Sequence, residues 1–75
     1  MATSIYDNAI KEQKIIEHAL KNGCHVAMQL VTETAVMFTV HENDLNTMQE
    51  FCKKEFGSCD VVEEIGKFLM CKVKT

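Results

Sequence analysis

Between residues 4 and 22, Ile5, Ala9, Ile16 and Leu20 recur at helical spacing, with Lys11, Glu12, Lys14 and Glu17 among them. That period predicts an amphipathic helix with the apolar stripe turned inward. Ser4 stands in N-cap position, and Asp7 three residues on completes the spacing of a capping box. Asn22-Gly23 is a natural stop, because glycine adopts the left-handed conformation that ends helices.

From residue 24 the period falls to two. Cys24, Val26, Met28 and Leu30 alternate with His25, Ala27, Gln29 and Val31, which predicts a half-buried strand. Thr32-Glu33-Thr34 reads as a short turn. Val36, Phe38 and Val40 share one face of a return strand over residues 35–40, so the pair predicts a hairpin. A helix capped by Asn43 or Asp44 then runs to about Phe56, with Leu45, Met48, Cys52 and Phe56 on one face and Phe51 beside them. Gly57 stops it. Cys59, Val61 and Ile65 predict the inward phase of a third strand, Gly66 a turn, and Leu69, Cys71 and Val73 the inward phase of a fourth.

Helix, strand, strand therefore occurs twice within a single domain, residues 1–75. The inward positions of segments 4–40 and 43–73 match in phase, with Ala9, Ile15, Ile16 and Leu20 of the first helix answering to Leu45, Phe51, Cys52 and Phe56 of the second, which suggests an αββ pseudo-repeat, although two amphipathic units also resemble one another under gaps. Short turns make both hairpins antiparallel, and the second helix acts as a crossover of right-handed sense. The simplest sheet order is 1-2-4-3, with 2-1-3-4 as the alternative. The expected fold is α+β: a four-stranded antiparallel sheet with two helices on one face, a circularly permuted ferredoxin-like arrangement.

Two helices cover one face of such a sheet, so the other should be polar. His25, Gln29, Thr39, Asp60, Glu64 and Lys72 meet that expectation. Ala27, Val31, Ala35, Met37, Val62, Phe68 and Met70 fall on the same phase and do not. With strands two and four central, Met37, Phe68 and Met70 meet in the middle of the face. A contiguous apolar patch on a surface marks a contact site; methionine suits adaptable contacts and phenylalanine anchors them. Met37, Val62, Phe68 and Met70 are thus the candidate partner-binding residues. A homodimer through this face, or through an edge strand, is the simplest occupant.

Composition narrows the function. A chain of 75 residues allows one small core; such a chain buries only about 60% of its unfolded surface. At 47% hydrophobic and 25% charged it is too apolar for disorder. Asp and Glu number 11 against 8 Lys, with no Arg, for a net charge of −3. Nucleic-acid binders normally carry a basic stripe with the planar arginine fork, so nucleic acid is not an expected partner. No apolar run reaches the roughly 18 residues of a membrane span. The opening Met-Ala-Thr-Ser-Ile-Tyr-Asp has neither the basic segment nor the apolar core of a signal peptide, and Ala2 stands where myristoylation needs Gly. The expectation is a cytoplasmic protein with reduced thiols.

The chemistry-bearing residues give no site. Cys24, Cys52, Cys59 and Cys71 contain no CxxC pair, and His18, His25 and His41 no HxxxH pair, so no zinc site is expected. Three of the cysteines sit on inward strand phases, where a small hydrophobe belongs. A cysteine nucleophile needs a base beside it; the one adjacent pair, Cys24-His25, points to opposite faces of a strand, and His18 instead complements the C-terminal dipole of the first helix. The acidic clusters Glu42/Asp44 and Asp60/Glu63/Glu64 read as solvated surface. No glycine-rich phosphate loop is present. Neither an enzyme nor a cofactor is expected. What remains is a small acidic module that binds a larger protein at a basic patch, of the kind that includes phage- or plasmid-borne inhibitors of host machinery. The alternative is a dimeric small-ligand sensor using His25, Gln29 and Thr39. An RNA-binding sheet face ranks last, since Phe68 is its one expected aromatic.

Overall fold

The computed structural model describes residues 5–74. Its elements are α1 (Ile5–Asn22), β1 (Val26–Val31), β2 (Ala35–His41), α2 (Leu45–Phe56), β3 (Asp60–Ile65) and β4 (Phe68–Lys74). The strands form one antiparallel sheet in the order β1-β2-β4-β3, the simpler of the two expected orders. Ser4, the expected cap of α1, lies outside the described residues.

The connections are made by local chemistry. Thr32 builds the β1–β2 turn: its hydroxyl accepts from the amides of Thr34 and Ala35 at 3.3 and 3.1 Å, while its own amide donates to Ala35 at 2.9 Å. Gly57 ends α2 in the left-handed region, φ 87°, and donates to the Lys53 carbonyl at 3.0 Å. Asp44 occupies the N-cap of α2, but its side chain makes no capping bond to the helix.

The core lies between the helices and β2 and β4. Val36, Phe38 and Val40 on β2 pair with Val73, Cys71 and Leu69 on β4. Ile15, Met48 and Cys52 close over them with no exposed surface. Each such side chain contributes roughly 1.5–3 kcal/mol by leaving water. The molecule is only 18 Å through its shortest axis, which is one helix layer on one sheet; among the described residues nothing covers the second face.

Three expectations are corrected. Of the inward positions expected on α1, Ile15 is buried, but Ile5, Ala9, Ile16 and Leu20 are exposed, Leu20 at 77%. Asn8 and Ala19 complete the buried face. Apolar residues cover much of this helix's circumference, so their period leaves the inward direction open. Tertiary contacts decide it: the Asn8 amide donates to the Thr32 carbonyl, and the His18 ring stacks on Phe51 of α2 at 4.0 Å.

The other two corrections come from β-bulges. In β1 the register shifts between Met28 and Leu30, leaving Gln29 without a residue opposite it. Leu30 then pairs with Met37 on the open face, and Val31 pairs with Val36 and packs against the core. In β3 the shift falls between Val61 and Glu63. Ile65 moves to the open face opposite Phe68, Glu64 to the helix side, and Val62 sits in the bulge with no residue opposite it. An extra residue reverses the alternation of everything beyond it.

Candidate interaction face

Residues directly opposite one another in a ladder project to the same face, so the register draws the open face row by row. One row crosses all four strands as Leu30, Met37, Lys72 and Asp60. The next reads Ala27, Thr39, Met70 and Glu63. A third reads His41, Phe68 and Ile65. The apolar members form a diagonal band: Leu30 and Met37 at one corner, Met70 at the centre, Phe68 and Ile65 at the opposite corner. Leu30, Ile65 and Phe68 are 52%, 55% and 44% exposed; Met37 and Met70 are half-buried by their neighbours.

Of the four candidate residues, the structure brings Met37, Met70 and Phe68 together on this band and leaves Val62 apart, exposed in the β3 bulge. Leu30 and Ile65 replace it. Both were hidden by strict alternation, and a signal did exist: Leu30-Val31 and Val61-Val62 place two apolar residues side by side, where either phase satisfies the core.

A charged rim borders the band. Asp60 and Glu63 stand at its β3 side, with Lys72 between Asp60 and Met37. At the Phe68 corner, polar groups are held in place from α2. The Asp44 carboxylate accepts from the His25 amide at 2.8 Å and lies 3.3 Å from the His25 ring Nδ1. That amide bond, with the ring's contribution, holds the Asp44 carboxyl below the usual carboxylate range. The Asn43 amide donates to His41 Nδ1 at 3.1 Å. The His41 ring meets Phe68 edge to face, with centroids 5.3 Å apart, a favourable aromatic geometry. Open depressions at this corner are lined by His25, His41, Asn43, Asp44 and Phe68, and by His25, Ala27, Thr39 and Phe68. Of the polar groups expected of a ligand sensor, His25 and Thr39 line the second; Gln29 does not.

The thiols converge where the sequence shows no sign of it. Cys52, Cys59 and Cys71 come from α2, the residue before β3, and β4, and all are buried. Interaction with the neighbouring Cys59 thiol, and burial after it, push the thiols of Cys52 and Cys71 above the ordinary range, while the other two thiols lower that of Cys59. Among the described residues, no group of three or more His, Cys, Asp or Glu is arranged to hold a metal ion, and no helix is long and apolar enough to cross a membrane. No protein-family model matches the chain, and neither does any curated protein or solved structure.

Proposed function

We propose that the chain is a protein-interaction module whose open sheet face docks on a partner protein. The observation that carries this reading is the diagonal band: five apolar side chains from four strands, joined into one patch and left uncovered. Uncovered apolar area of this kind is stabilised by contact with another apolar surface. Phe68 is its rigid anchor, braced by the His41 ring. Met37 and Met70 supply an adaptable centre. Asp60 and Glu63 on the rim, in a chain of net charge −3, favour a partner whose apolar contact is bordered by Lys or Arg. On this reading the chain acts as an inhibitor of a larger machine, by occupying a basic surface on it.

Asp60 and Glu63 also disfavour a phosphate backbone on the same face, which argues against RNA. The depressions beside Phe68 are open rather than enclosed, so a small-ligand sensor has less support than a protein contact.

The test is affinity capture from the native host with the chain and with Phe68→Asp, followed by mass spectrometry and titration of the captured protein. A central anchor contributes about 2 kcal/mol or more, roughly a thirtyfold change in Kd. A partner that binds Phe68→Asp as tightly as the native chain, with the circular dichroism of both unchanged, would remove this face from the interaction.

A further inference from the structure

The two edges of the sheet differ. Both are bulged, but β3 carries Asp60, Glu63 and Glu64, charges that protect an edge from pairing. β1 reads Val-Ala-Met-Gln-Leu-Val, with a bulge and no charge. Among the described residues, its outer backbone groups face no other strand.

Beside that edge lies the second unpartnered surface. α1 packs over β1 and β2 and touches α2 through His18. At roughly 100° per residue, Ile5, Ala9, Ile16 and Leu20 fall on the flank away from His18, above the free edge of β1. All four are exposed.

We infer that the chain forms a twofold dimer in which β1 pairs antiparallel with β1 of a second copy and the outer flanks of the two α1 helices pack together. The stripe is its own complement, as a twofold contact requires. Ile5 and Leu20 lie equally far from the Glu12–Gln13 midpoint, and so do Ala9 and Ile16. Antiparallel helices sharing that midpoint set Ile5 against Leu20 and Ala9 against Ile16. Glu12 then meets Gln13 of the second copy, not another carboxylate.

The strand must share the same axis, and it does. Asn8 reaches the Thr32 carbonyl, and the Ala19 carbonyl takes the Cys24 amide at 2.8 Å. Between these ties, the Glu12–Gln13 midpoint stands over Met28–Gln29, the middle of β1. The lateral spacing also fits. Strands lie about 4.8 Å apart, so a helix centred between β1 and β2 stands about 5 Å from the axis, and the pair falls within the 8–10 Å at which helices pack. The same operation on β3 would set its acidic edge against itself.

The dimer leaves the diagonal band free and is independent of the protein-docking reading. Sedimentation equilibrium or multi-angle light scattering tests it on the full chain. The native chain is expected at twice the monomer mass, and Phe68→Asp likewise. Leu20→Glu alters a 77% exposed side chain and is expected to halve the mass with unchanged circular dichroism; Ala9→Glu provides a second break in the same stripe. A native chain of monomer mass at high micromolar concentration would overturn the inference. So would a dimer that both α1 variants leave intact, or one that Phe68→Asp dissociates while they do not.

Discussion

Asp44 caps α2 by position, yet its carboxylate serves His25. The bond ties the start of β1 to the start of α2, across 19 residues of chain. Its pH dependence follows from the direction of the shift. The folded carboxyl titrates below its unfolded value, so its stabilisation is present above the ordinary carboxylate range and is lost as pH falls through the folded pKa. Asp44→Ala is therefore expected to melt at a lower temperature than the native chain at neutral pH. The gap should narrow below about pH 4, as thermal scans at several pH values would show. The position of Asp44 was legible as a cap; its real partner was not, because a cap is a local pattern and His25 is a tertiary neighbour. The thiols teach the same lesson. Spacing rules detect ligands or pairs that lie close in the chain, whereas Cys52, Cys59 and Cys71 meet only when three elements pack.

At the scale of elements, both helices, all four strands and the turns were legible, since each carries its own period and its own stop. Gly57 is the clearest stop. Its φ of 87° is strained for any side chain, although a Cβ there would meet nothing within 4 Å. Gly57→Ala is expected to cost about 1–2 kcal/mol through backbone conformation alone, measured by urea unfolding with an unchanged m-value. What the pattern concealed was phase. β2 is regular, so its alternation sends Met37 outward and Phe38 inward as read. β1 and β3 each hold an extra residue, and Leu30 and Ile65 change sides. The period of α1 was equally sound as a helix signal and misleading as a direction, because the sheet takes Ile15 and Ala19 while the stripe at Ile5, Ala9, Ile16 and Leu20 stays outside.

At the scale of the whole molecule, shortness and residual apolar surface belong together. Two helices bury one face of the sheet and leave the diagonal band and the α1 flank uncovered, more than a chain of this size can fold over. The order β1-β2-β4-β3 was legible because few connections satisfy two hairpins and one crossover. Stability that depends on a second copy obeys mass action. The melting temperature is accordingly expected to rise with protein concentration for the native chain and to become independent of it for Leu20→Glu, as calorimetry over a hundredfold dilution series would show. A native chain whose melting temperature ignores concentration would mean that the fold completes itself alone.

The pair of methionines at the centre of the band has a chemical consequence. Met48 is sealed in the core, whereas Met37 and Met70, like Met28, are only half-buried, so peroxide reaches them before it reaches Met48. Each sulfoxide puts a polar oxygen where an apolar contact is needed. Oxidative ageing would thus blunt the docking face while the helices and sheet stay folded, and replacing both residues with leucine would preserve the apolar surface and remove the susceptible sulfur.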